Sequence, residues 1–280
     1  MRLIVNADDF GLTAGVDQVV AELANAGALR STTLMARGAD FEGAAALARQ
    51  TANLHVGCHV TLVDGLPCAE AARIPTLLDH EGKLRSSLLA FLVHLQSGGI
   101  PEEEIEREAT AQIACLQNAG LVVTHVDTHK HTHLFPRVAR PLMRAAAACD
   151  VRGIRNPFEQ AWSARLTRGA LLRRLEVTAL RGFQHSFQEL LRSSGLRSTD
   201  GSIGVSATGS LDAAMLRTLL AGVPPGTWEL VCHPGRNDAD LAAIPTRLRQ
   251  TREVEHAALL KQIPAAKASG AVTLLSYADL

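Results

Sequence analysis

The sequence predicts an α/β protein whose strands form a closed or nearly closed parallel barrel, and three observations carry that expectation. Short apolar runs rich in β-branched residues alternate with helical stretches, seven or eight such runs fit within 280 residues, and the chemistry-bearing residues recur at the ends of those runs. A single core stops growing near roughly 250 to 300 residues, so residues 1–280 read as one domain. Residues 3–6 are the first buried strand, followed by a helix over 15–26 that Gly27 closes. Further strands are expected at 32–36, 55–62, 121–127, 153–155, 203–206, 228–232 and 272–276. The clearest helix is 101–118: Pro101 opens it, Glu102, Glu103 and Glu104 suit the positive end of its dipole, and Ile105, Ala109, Ile113 and Leu116 form one stripe. Another runs over about 245–267. A doubly wound nucleotide-binding sheet lacks its fingerprint, since no GxGxxG follows the first strand and no GxxxxGK[ST] occurs.

Residues 158–196 interrupt the alternation and read as an insertion with no strand of its own. Leu172, Leu175, Ala179, Leu180, Phe183, Phe187, Leu190 and Leu191 keep helical spacing there, with Arg168, Arg173, Arg174, Arg181, Arg192 and Arg197 around them. Residues 155–200 hold eight Arg against four acids, about +4, so a chain of formal net charge zero carries about −4 elsewhere. An apolar stripe flanked by arginines fits a cover for a hydrophobic substrate and a contact with an anionic membrane surface; it fits equally an amphipathic helix packed on the barrel.

Composition excludes several classes. With 47% hydrophobic, 20% charged and 4% aromatic residues, neither disorder nor an aromatic base-stacking surface is indicated, and no nucleic-acid partner is expected. Five cysteines without CxxC spacing argue against a disulfide framework and for a reducing compartment. The opening MRLIVNADDF reaches two aspartates too early for a secretory signal, and no apolar run approaches a membrane span. A cytoplasmic protein is the expectation.

Four motifs carry chemistry. Asn6-Ala7-Asp8-Asp9-Phe10-Gly11 ends the first strand, where adjacent aspartates point different ways, one toward a metal and one toward a proton; a helix cap is the plainer alternative. His125-Val126-Asp127-Thr128-His129-Lys130-His131-Thr132-His133 holds four of the eleven histidines in nine residues, and extended chain would set its polar groups on one side. Not all can ligate one ion, and His131 and His133 are expected to face solvent or a helix start. His59, in Gly57-Cys58-His59-Val60-Thr61-Leu62, and His233, in Cys232-His233-Pro234-Gly235, are each weak alone. The convergence of Asp8, Asp9, His59, the 125–133 run, Arg155 with Asn156, and His233 on strand ends is not weak. Imidazole and carboxylate donors with open positions mark a catalytic divalent-metal site, with Asp127 a natural partner for a ligating histidine, and hydrolysis follows from metal-activated water. No GxSxG elbow supports a serine nucleophile, and Cys58 and Cys232 should point into strand packing.

Together these motifs resemble the YdjC-like carbohydrate deacetylases, the family of chitooligosaccharide deacetylase, over residues 3–235. The resemblance implies a distorted TIM-like β/α barrel and removal of acetyl from N-acetylglucosamine units with one divalent ion, zinc or another transition metal, or magnesium. It further implies Asp9, His59 and His129 as metal ligands, Asp8 as general base and His233 as general acid, with His125, Asp127, Arg155 and Asn156 as supporting or substrate-contacting groups. Arg155-Asn156-Pro157-Phe158-Glu159-Gln160-Ala161-Trp162 and the basic segment after it resemble the hopanoid-biosynthesis-associated branch, HpnK. That branch implies an N-acetylglucosaminyl hopanoid as substrate, a peripheral contact with the inner membrane surface through 158–196, and leaves room for a homodimer. A soluble chitooligosaccharide is the alternative substrate; a non-catalytic sugar- or lipid-binding barrel and a metal-dependent phosphoesterase are the competing classes. Lys130 stands where chitooligosaccharide enzymes tend to have another histidine.

Overall fold

The computed structural model describes residues 1–167 and 181–280. Strand β1 (Arg2–Phe10) is buried at every position after Arg2, as its run of Leu, Ile and Val demands of a strand covered on both faces. Parallel to it lies β7 (Thr227–Cys232), paired along Arg2–Ala7. The other edge of β1 is shared: β8 (Thr273–Leu275) takes Arg2–Ile4, and β2 (Ser31–Leu34) takes the part from Asn6 onward. The sheet continues through β3 (His55–Val60) and β4 (Val123–Thr128) to β5 (Gly153–Ile154) on one side and through β7 to β6 (Gly201–Ile203) on the other. Two isolated bridges, Gly153 with Arg197 and Glu159 with Ser202, draw the outer strands toward each other. The curled parallel sheet is thus a distorted, incompletely closed β/α barrel, as expected.

Helices α1 (Ala14–Asn25), α2 (Phe41–Gln50), α3 (Leu88–Gln96), α4 (Glu102–Asn118) and α5 (Pro136–Ala148) belong to the first half. The second half has α6 (Ala161–Leu166), α7 (Gln184–Ser194), α8 (Ala213–Gly222), α9 (Ala239–Ala242) and α10 (Arg252–Ala268). On α4 the predicted stripe of Ile105, Ala109, Ile113 and Leu116 is buried, but so is a polar row one step round. Glu104 accepts from the N–H and hydroxyl of Thr76, Glu108 from the N–H of Cys68 and of Ala69, and Gln112 pairs with both backbone groups of Thr61. That row pins the long connection following β3.

Several expected boundaries move, β1 running on to Phe10 among them. The strand placed at 203–206 is Gly201–Ile203, because Gly204 turns the chain at φ 83°, and the last long helix starts at Arg252 rather than near 245. The described part of the insertion packs on the barrel as an ordinary crossover. Phe187 is buried edge-on to Phe158 with ring centres 5.6 Å apart, and Phe183 lies 5.3 Å from Phe135 on the approach to α5. Arg168, Leu172, Arg173, Arg174, Leu175, Ala179 and Leu180 lie outside the described residues.

Candidate metal and catalytic site

The C-terminal ends of β1, β3, β4 and β7 converge. At the end of β1 the pairing register with β2 shifts between Ala7 and Phe10, and Asp9 adopts a left-handed φ of 64°, uncommon for a residue with a Cβ. Both aspartates are thereby buried on the site, with Asp8 1% and Asp9 4% exposed. Gly11, at φ 85°, follows, and its N–H is held by Asp17 at 2.6 Å.

Asp9 Oδ1 lies 3.5 Å from His59 Nε2 and 3.4 Å from His129 Nδ1, and the two nitrogens are 3.3 Å apart. These separations test the fit of a metal directly: donors bonded at zinc–ligand lengths in tetrahedral arrangement lie about 3.4 Å from one another. The chemistry of the set agrees. His59 Nδ1 is engaged by Asp127 Oδ1 at 2.7 Å, which leaves the Nε2 lone pair to face the other two donors. Burial alone would lower the His59 pKa, but Asp127, with Asp8 and Asp9 behind it, raises it to about 9, so the pocket attracts positive charge.

Behind this triangle sits a buried ionic network. Arg155, fully buried, donates to Asp8 at 2.6 and 2.8 Å, pairs with Asp127, and reaches Glu229 at 2.8 Å. Burial opposes the charge on Asp8, but Arg155 holds its carboxyl well below the usual carboxylate range. Glu229, where burial outweighs Arg155, is raised, and it also accepts the Tyr277 hydroxyl. Thr33 Oγ1 on β2 lies 3.2 Å from Asp127 and 3.3 Å from His59 Nδ1. Asp9 has its own cation: Arg252 Nη2 donates to Oδ2 at 2.6 Å and, against burial, keeps the carboxyl well below its usual range.

His233 follows β7 with Nε2 3.8 Å from Asp8 Oδ2, and its N–H donates to Glu255 Oε2 at 2.7 Å. Burial pushes its imidazole down to about 4 against the pull of Asp8 and Asp9, so at neutral pH it rests uncharged. Glu255, raised to about 7 chiefly by burial, shares the first turn of α10 with Arg252.

His125 lies outside the triangle. Its ring stacks on Tyr277 at 3.9 Å, faces Asn6 Oδ1 at 3.1 Å, and occupies the space a Cβ on Gly57 would need. Asn156 donates to Thr199 O and accepts from Phe158 N–H, which shapes the turn after β5. The period-two reading of 125–133 holds only to Thr128. From His129 to Leu134 the chain is a 3-10 helix with left-handed Lys130 (φ 57°) and His131 (φ 51°), and this turn, not strand alternation, brings His129 over the site. His133 is fully buried with Nδ1 2.6 Å from the Thr128 hydroxyl, a correction to the expectation that it faces solvent or opens a helix: the kink folds it back under the strand. Cys58 and Cys232 are buried in strand packing as expected.

Sequence reasoning missed Thr33, Glu229, Tyr277, Arg252 and Glu255. Glu229 had a signal, a charge inside the apolar run 228–232; Arg252 had none, because the expected helix began near 245 and placed it among ordinary helix positions. Thr33 and Tyr277 carried none.

The chain as a whole is similar to known proteins. The YdjC-like protein family matches residues 2–267. A carbohydrate deacetylase of Brevibacillus brevis is 36% identical over 189 residues, 67% of this chain and 69% of that protein. The Homo sapiens carbohydrate deacetylase is 33% identical over 245 residues, 84% of this chain and 75% of its own length. A crystal structure from Enterococcus faecalis V583, of a protein named for cellobiose-phosphate cleavage, shares the fold with a TM-score of 0.75 at 22% identity, covering 99% of this chain and 98% of that one.

Proposed function

The chain belongs to the YdjC-like protein family, an enzyme family whose matched relatives are named carbohydrate deacetylases, and from that membership we propose a metal-dependent N-deacetylase acting on an N-acetylglucosaminyl group. The observation that carries this reading is the closure of Asp9 Oδ1, His59 Nε2 and His129 Nδ1 to 3.3–3.5 Å of one another, with Asp8 and His233 beside them. A divalent ion held by those three side chains, zinc or another transition metal by ligand type and magnesium as the alternative, would polarise the acetyl carbonyl and make water acidic.

The remaining chemistry falls to the chain. Asp8 Oδ2 takes the proton that water releases as its oxygen adds to the acetyl carbon; Arg155 keeps that carboxylate ionised at rest and fixes its aim. His233, uncharged at rest, cannot begin as the acid. The proton collected at Asp8 crosses the 3.8 Å gap to His233 Nε2, and from there reaches the amine nitrogen as the carbon–nitrogen bond breaks. Acetic acid and a free amine are the products, which leave as acetate and the protonated amine once the acid's proton passes to the amine, and both side chains return to their starting states. Asp127 orients His59, while His125, Arg155 and Asn156 hold the framework. Purified protein releases acetate from an N-acetylglucosaminyl substrate in this account; unchanged turnover after Asp9→Ala with His129→Ala contradicts it.

The finer substrate is an N-acetylglucosaminyl hopanoid, met at the inner membrane surface by a cytoplasmic enzyme through the basic segment 158–196. The likeness of residues 155–162 to the hopanoid-associated branch supports it. A soluble chitooligosaccharide is the second reading, favoured by the packing of Phe187 of α7 on Phe158 and of Phe183 on Phe135, as in a helix laid on the barrel. Turnover on the glycolipid against diacetylchitobiose separates the two.

A further inference from the structure

The structure assigns a positioning role to Arg252: its guanidinium takes one oxygen of Asp9, confines that carboxylate to one-point ligation through the other, and by its charge keeps a bound divalent ion exchangeable. The inference rests on the reading of Asp9, His59 and His129 as the ligands. Arg252 is the first residue of α10, where a cation opposes the helix dipole, so capping the helix does not explain it. It is 1% exposed, and among the described residues its one hydrogen bond goes to Asp9 Oδ2 at 2.6 Å, with buried Nε and Nη1 unpartnered. Burying a guanidinium that incompletely satisfied is costly, which makes the contact with Asp9 its reason for being there.

The path it follows is kept open by glycine. A Cβ on Gly235 would stand 3.1 Å from Arg252 Cδ and 3.0 Å from Val16 Cγ2, so the glycine of Cys232-His233-Pro234-Gly235 lets the side chain pass to the site. Its φ is not of the left-handed kind; what glycine supplies here is room for the close approach. At the other end Asp9 is held in a left-handed conformation that directs Oδ1 to the two imidazoles while Oδ2 faces Arg252. Two cations sharing one carboxylate repel each other and divide its electron density, so the guanidinium weakens the ion's bond to Oδ1 and leaves the ion a stronger Lewis acid.

The test compares zinc affinity, measured by competition with a chromogenic chelator, in the wild type, Arg252→Gln and Arg252→Lys, with acetate release read in parallel. Arg252→Gln binds zinc about tenfold tighter or more, yet loses kcat with little change in KM, while Arg252→Lys keeps wild-type affinity within a few-fold and recovers part of kcat. Equal or weaker zinc binding in a folded Arg252→Gln overturns the proposal. If that variant is unfolded without metal, zinc restores its fold, since the ion replaces the missing partner of Asp9; failure to restore it overturns the proposal equally. His129→Ala is the control: a wild type that binds zinc no better than His129→Ala refutes the ligand assignment itself, a result distinct from a failure of Arg252.

Discussion

Asp8 and Asp9 are chain neighbours with different partners, and each partner sets a task. Arg155 fixes Asp8 as a carboxylate facing His233, and Arg252 turns Asp9 toward His59 and His129. Replacing His233 by alanine separates proton transfer from metal binding: turnover falls by about 10²–10⁴-fold while zinc content, measured by atomic emission, stays at the wild-type ratio. A second prediction concerns Asp17, whose carboxyl is pushed up from 3.8 to about 8, first by burial and then by Asp40, while it holds the N–H of Gly11. Because the folded value is the higher one, this stabilisation is complete below pH 3.8 and is lost as pH rises through about 8. Asp17→Asn, which keeps the acceptor for Gly11, therefore differs least from the wild type in Tm below pH 3.8 and exceeds it by a margin that grows up to about pH 8; a constant difference across that range contradicts the assignment. At this scale the meeting of Asp9, His59 and His129 was legible through their place at strand ends and through the family resemblance of their motifs. Thr33 was not, because a threonine in a β-branched strand looks like any other until Asp127 and His59 fold against it.

Among elements, α4 shows how a helix can serve two purposes with two stripes. Its apolar stripe was legible from spacing; its acidic first turn was read as dipole chemistry, yet Glu104 is turned inward to Thr76 and continues into Glu108 and Gln112. A polar residue at an inward position is invisible to periodicity because its partner, the backbone of 61–76, comes from a loop without a pattern of its own. Glu108→Ala leaves the N–H groups of Cys68 and Ala69 without their charged acceptor and should cost about 2–4 kcal/mol of stability, read by urea denaturation. Limited proteolysis should then cut within 61–87 first, with zinc content unchanged. The 129–134 turn was illegible for a related reason. Histidine at every second position continues from His129 through His133, but the left-handed Lys130 and His131 end the strand geometry that would have used it.

For the whole molecule, the neutral sum of 28 basic and 28 acidic side chains conceals charges placed where water is absent. Arg155, Asp8, Asp127 and Glu229 lie inside the barrel, and a parallel sheet with strand ends rich in Asp, His and Arg rather than apolar side chains is organised around that centre. No helix among the described residues is long and apolar enough to cross a membrane. The barrel was legible from the alternation of strands and helices; its incomplete closure was not, since it depends on two-residue β5 and on single bridges at Gly153 and Glu159 that no run of residues announces. In the proposed function, β1, β3 and β4 together build one catalytic metal centre. Crystals grown with zinc and measured at its absorption edge test it most directly: one anomalous peak per chain is expected about 2.0–2.2 Å from Asp9 Oδ1, His59 Nε2 and His129 Nδ1. A fully active enzyme whose only peak lies elsewhere, or that shows none, would contradict the account.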